Sequence, residues 1–205
     1  MITKDDDIKT KVWVFVALAG GRGDLGTEEQ GALSRRLLFY GAKEAFGEEI
    51  CADDLVKTPQ GRPQIRGGGL RVSISHCGYG AAVSLSRGVD CGVDIEGPRK
   101  IKASTAKRVF GDNERAGILS ALERAGGDES DSDYVNLFLR AWTVREAAAK
   151  MEGRGLSRDI LERDIAEFSP DCTATREQGE GVVVSCVAEE SCEFEFVKIG
   201  EDALK

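Results

Sequence analysis

A single histidine, His76, stands in 205 residues, and none of the six cysteines (Cys51, Cys77, Cys91, Cys172, Cys186, Cys192) belongs to a C-x-x-C pair. A zinc site of closely spaced sulfur and imidazole ligands is therefore not expected. In a chain long enough to fold on its own core, scattered cysteines read as reduced thiols, and a cytoplasmic location is expected. Positive charge is scarce as well. The 28 Lys and Arg against 36 Asp and Glu leave a net charge of -8, which argues against a protein whose main task is gripping nucleic-acid backbone. The apolar run VWVFVALA at residues 12–19 is too short to span a bilayer as a helix, and the segment before it has no positive bias. Being β-branched and aromatic, it reads as a buried strand, and no membrane partner is expected. No internal repeat is legible.

What is present alternates between strand and helix patterns. Glycines at 20, 21 and 23 break the chain after the first strand, and a helix is predicted over residues 27–46, stopped by Gly47. A loop holding Gly61-Arg62-Pro63 leads to a predicted hairpin of residues 70–76 and 81–86, followed by a strand at 90–96. Helices are predicted at 105–109, 113–124 and 134–152, with a polar acidic loop at 126–133, and the tail returns to strands at 172–176, 181–188 and 192–199. This order predicts an α+β fold of two similar halves, residues 1–89 and 90–205. Each half has antiparallel strands packed on helices, and a ligand cleft lies between them.

Three segments carry candidate chemistry. In Gly92-Val93-Asp94-Ile95-Glu96, strand alternation puts Asp94 and Glu96 on one face, where two carboxylates repel unless a cation neutralises them. The same alternation marks any half-buried strand. In the segment from Trp142 to Lys150, Glu146 and Lys150 lie one helical turn apart, a spacing that also describes an ordinary surface salt bridge. The surrounding Val135, Phe138, Leu139 and Trp142 require much of that helix to be buried, which favours a specific partner for Glu146. His76 ends Ser73-Ile74-Ser75-His76 and reads equally as a packed histidine or a phosphate contact. Cys77 beside it points to the opposite face, so a cysteine–histidine nucleophilic pair is not expected. Arg62 in its rigid turn suits bidentate phosphate recognition but is also ordinary on a surface. Arg99, Lys100, Lys102, Lys107 and Arg108 form a basic cluster in an acidic chain.

In order and spacing these segments resemble the 4′-phosphopantetheinyl transferases, specifically the larger single-chain, pseudo-dimeric type that activates carrier proteins. The likeness runs from Gly61 to Leu156 and adds Ala106-Lys107-Arg108-Val109-Phe110 with Glu114, and Gly153-Arg154-Gly155-Leu156. It implies two similar α+β halves with coenzyme A and magnesium between them. It also implies transfer of the 4′-phosphopantetheine arm to a serine of an apo acyl or peptidyl carrier protein, releasing 3′,5′-adenosine bisphosphate. On this resemblance Asp94, Glu96 and Glu146 are metal ligands, Lys150 neutralises charge on the transferring group, and Arg62, Ser75 and His76 contact the nucleotide end. Glu114 matches the family's glutamate near the attacking hydroxyl and is the candidate general base. The basic stretch after the metal strand would meet an acidic carrier, and a monomer is expected because one chain supplies both halves.

Several positions depart from the family pattern. An N-terminal lysine pair is lacking, and Tyr40 stands where an arginine is expected, with Arg22, Arg35 and Arg36 as possible substitutes. Arg145 and Arg62 replace lysines, which keeps the charge and changes the geometry. The alternative from another class is a catalytically weak module that binds coenzyme A or a carrier protein. A carboxylate-dependent nuclease is disfavoured by the acidic chain and the lack of a second acidic cluster.

Overall fold

The computed structural model describes residues 10–20 and 23–204, so Arg22 lies outside the described residues. Along the chain these form β1 (Thr10–Leu18), α1 (Thr27–Phe46), β2 (Leu55–Lys57), β3 (Pro63–Ile65), β4 (Arg71–Cys77), β5 (Gly80–Ser86) and β6 (Cys91–Glu96). There follow α2 (Ala103–Val109), α3 (Asp112–Arg124), α4 (Ser132–Glu152), α5 (Arg158–Glu162), β7 (Thr173–Glu177), β8 (Val183–Ala188) and β9 (Cys192–Ile199). The architecture is α+β. One sheet has the order β4-β5-β1-β9, a second β6-β8-β7, and β2 and β3 form a small ladder. All pairings are antiparallel except β1 with β9.

The near-continuous apolar run of β1 has a simple cause: both of its faces are covered. Phe15 and Ala17 pack with Leu33, Leu37 and Leu38 of α1 and with Val83 and Leu85 of β5. Val12, Val14 and Val16 face the other way and share a core with Val93 and Ile95 of β6 and Val184 and Cys186 of β8. The first sheet is thus layered between α1 and the second sheet. The second sheet is in turn covered by α4, whose Val144, Ala147 and Ala148 pack against Val187. Further along α4, Tyr134, Phe138 and Leu139 bury against Phe110, Ile118 and Leu122.

Local chemistry fixes the ends of the two long helices. Glu29 Oε2 accepts from the Gly26 amide at 2.9 Å at the start of α1, and Gly47 closes it in the left-handed region at φ 68°. Asp131 Oδ1 accepts from the Asp133 and Tyr134 amides at 3.0 Å each, so α4 begins at Ser132, two residues before its first apolar position. β2, β3 and α5, of three to five residues, are too short to show a periodicity in sequence. β9, from the segment expected in the C-terminal half, pairs instead with β1. No helix among the described residues is long and apolar enough to cross a membrane.

Candidate active site

Two elements meet to form the site, and a glycine lets them meet closely. A Cβ on Gly92 would overlap the Ala147 carbonyl and the Met151 amide, so the backbone of α4 lies directly on β6 only because that position has no side chain. Between positions 141 and 150, Trp142, Glu146 and Lys150 alone are not fully buried, and they recur once per turn on the face that meets Asp94 and Glu96.

The contacts run in reverse order along the two elements. Trp142 Nε1 donates to Glu96 Oε1 at 3.2 Å, and Lys150 Nζ donates to Asp94 Oδ1 at 2.7 Å. Glu146 lies between them on the helix. The everyday Glu146–Lys150 salt bridge is not formed; Lys150 pairs with Asp94. Ser75 completes a triangle, donating to Asp94 Oδ1 and accepting from Lys150 Nζ, both at 2.8 Å. Beside it, Ser73 Oγ accepts from the Val93 amide at 3.1 Å, so side chains of β4 satisfy the open edge of β6.

This cluster is electrostatically incomplete. Asp94 is 5% exposed, and its Oδ2 is a buried acceptor with no hydrogen-bond partner. Burial pushes the Glu96 carboxyl above its usual range, with Arg99 opposing and Asp94 adding to the rise. Burial likewise raises Glu146, Asp94 adds to it, Lys150 opposes and Glu96 adds again. Three acids therefore share one site with less positive charge than they need. An all-oxygen donor set suits a hard divalent cation such as magnesium, and a cation would give Asp94 Oδ2 the partner it lacks. As they stand, no three His, Cys, Asp or Glu side chains among the described residues are gathered tightly enough to chelate a metal. Lys150 occupies one oxygen of Asp94, and Arg99 Nη1 donates to Glu96 Oε2 at 2.6 Å.

The other predicted residues are distributed around this centre. His76 is exposed, with Nδ1 3.0 Å from Gln30 Oε1 of α1, so it is not a packed core histidine. Burial raises the Cys77 thiol, the reverse of an activated nucleophile. Arg62 makes a bidentate pair with Asp90 at 3.1 and 3.2 Å and donates to the Met151 carbonyl at 3.2 Å, tying its turn to the end of α4. Together with Arg66, Arg71 and Asp90 it lines a cavity of about 320 Å³.

Glu114 sits apart from the carboxylates of β6 in its bonding. Its Oε2 pairs with the fully buried Arg145 and its Oε1 accepts from the Ile165 amide at 2.9 Å. Of the basic cluster, Arg99 is bonded to Glu96 and Lys100 lies 3.6 Å from Glu129, while Lys102, Lys107 and Arg108 are exposed. Sequence reasoning missed Asp90, the carboxylate that holds Arg62, and the attachment of Trp142 and Arg99 to Glu96. Each depends on a contact between distant segments, or on which way a loop turns, and leaves no spacing signal.

Residues 90–191 match the family model of the 4′-phosphopantetheinyl transferase superfamily. The matched stretch contains Asp94, Glu96, Glu114, Glu146 and Lys150 and begins after Arg62, Ser75 and His76. Over that stretch the chain is similar to transferases of the phosphopantetheinyl type. No curated protein matches the chain.

Proposed function

We propose that the protein transfers the 4′-phosphopantetheine arm of coenzyme A to a serine of an apo acyl or peptidyl carrier protein, with magnesium as its metal, releasing 3′,5′-adenosine bisphosphate. The observation that carries this reading is the meeting of Asp94, Glu96, Glu146 and Lys150 inside the matched stretch, with a buried Asp94 oxygen lacking a partner. Asp94, Glu96 and Glu146 would hold the cation, which when bound neutralises pyrophosphate oxygens and the charge that grows on them during transfer.

The residues themselves supply position and charge, which is most of what phosphoryl transfer requires. Lys150 keeps a positive charge next to the acids, and Ser75 fixes it there through two bonds of 2.8 Å. By turning its ammonium from Asp94 to a phosphoryl oxygen, Lys150 stabilises the charge that develops as the bond to the departing bisphosphate breaks. Ser75 is buried and serves to position Lys150 and Asp94 from below the ligand. Arg62 can reach a phosphate only by exchanging its Asp90 partner for the ligand, with Arg66 and Arg71 in the same cavity. His76, exposed at the end of β4, is open to the nucleotide. The serine proton leaves as oxygen attacks the β-phosphorus. Glu114 can receive it only if its pair with Arg145 opens.

The test is intact-mass measurement of apo acyl and peptidyl carrier proteins incubated with the protein, coenzyme A and magnesium, with an EDTA control. A gain of one phosphopantetheine arm that EDTA abolishes is the expected result. Absence of any gain across carriers, with coenzyme A binding still seen by calorimetry, would replace the transferase by a binding module.

A further inference from the structure

The chain already supplies a cation to two of the three acids, and the two cations are held very differently. Lys150 is 31% exposed, rises from a long buried helix and bonds both Asp94 and Ser75. Arg99 lies on the loop after β6, its side chain is 47% exposed, and among the described residues its side chain hydrogen-bonds Glu96 alone, by Nη1 at 2.6 Å and Nη2 at 3.5 Å. The base of that loop is fixed, since Tyr79 donates its hydroxyl proton to the Pro98 carbonyl at 3.1 Å. The guanidinium beyond it is not.

Space and charge for a second position lie next door. A cavity of about 610 Å³ is lined by Arg99 together with Tyr79, Lys100, Asp133, Asn136 and Glu177. Among the described residues the Glu177 side chain accepts from the neutral Asn136, at 3.1 Å, and neither Glu177 nor Asp133 has an ion pair. A guanidinium released from Glu96 would meet the Asp133 and Glu177 carboxylates there, the neighbouring Lys100 being paired with Glu129 at 3.6 Å.

We propose that Arg99 is a displaceable counter-ion: it holds the Glu96 carboxylate until a divalent cation takes that oxygen, then turns into the cavity walled by Asp133 and Glu177. The inference rests on the metal reading given above. It adds that competition by Arg99, and not the acids alone, sets how tightly the site takes its cation. A half-exposed ion pair is weak and screened by salt, so a divalent ion can displace it. Because both cannot bind the same oxygen, each lowers the apparent affinity of the other. Glu96 spends less of its time available than Glu146, which has no ion-pair partner among the described residues.

Direct Mn²⁺ titration monitored by electron paramagnetic resonance, with no substrate present, reads this without relying on turnover. Arg99→Gln is expected to tighten Mn²⁺ binding roughly tenfold, within the usual range of coupling between sites. Arg99→Lys, which keeps a competing cation, should stay close to the wild type. The decisive comparison uses Glu96→Gln as background, where adding Arg99→Gln should change nothing. Persistence of the tightening there would mean that Arg99 acts only through its general field, and equal affinity of wild type and Arg99→Gln would also overturn the proposal. If neither protein took up Mn²⁺, the metal reading itself would fall, an outcome distinct from equal binding.

Discussion

Two cations leave α4 five residues apart and finish very differently. Arg145 is fully buried, and every part of its guanidinium is engaged. Nε donates to the Leu161 carbonyl at 3.0 Å, Nη1 to the Ala141 carbonyl at 2.9 Å, and Nη2 to Glu114 and the Arg163 carbonyl, while the ring of Phe110 lies 5.0 Å below. Glu114 is completed in turn by the Ile165 amide. Lys150 and Asp94 form the contrasting case. Asp94 keeps one oxygen unpartnered in a buried place, and Glu146 beside it bonds no described residue. Satisfied buried charge binds elements together, here α3, α4 and the segment after α5. Unsatisfied buried charge is costly and persists where a ligand completes it.

The contrast can be broken from either side. Arg145→Ala should give the largest effect, costing about 3–5 kcal/mol of stability because Glu114 is left charged and unpaired. Urea denaturation checks this, and a loss below about 1 kcal/mol, typical of an exposed pair, would show that the guanidinium is no lock. Glu146→Ala should do the opposite. It should lower transfer activity at least about 100-fold through lost charge stabilisation with the melting temperature kept, and near wild-type turnover at limiting magnesium would remove Glu146 from the ligand set.

The smallest effect is the most diagnostic, because its sign is unusual. Glu146 holds its proton more tightly in the folded protein than when unfolded. That adds stability at pH values below its ordinary value of 4.5 and loses it as pH rises through the raised value. A permanently neutral Glu146→Gln should therefore melt higher than wild type at neutral pH in EDTA, by roughly 1–3 °C. The gap should close as pH falls toward 4, and scanning calorimetry at both ends reads it. A gap that instead widened in acid would mean that Glu146 is stabilised in its charged form.

The sequence pattern made the secondary elements legible wherever periodicity was long enough. The apolar run of β1, the two capped helices α1 and α4, and the alternation through β6 all announce themselves. The acidic pair was legible for the same reason: alternation puts Asp94 and Glu96 together. Local pattern could not reveal which partners those acids would find. From spacing alone Glu146 and Lys150 look like a surface pair, yet the close approach at Gly92 carries Lys150 to Asp94 instead. The same limit applies to Glu114, which the family resemblance makes the candidate general base. The structure gives it Arg145, a contact set by how α3 crosses α4. Arg62 repeats the lesson, since nothing in Gly61-Arg62-Pro63 foretells Asp90.

The pairing of β9 with β1 bears on how the molecule comes into being. β1 is joined on one side by β5, from the same N-terminal part of the sequence, but its other edge is closed by β9, in parallel register from Thr10 opposite Cys192 to Ala17 opposite Ile199. Pairings of such long sequence separation are slow to form, and on the ribosome β1 emerges long before its partner exists. Its apolar edge must therefore wait, open and ready to pair with a stranger, until β9 has been made. The vulnerable interval of this protein is the one between the making of β1 and the making of β9.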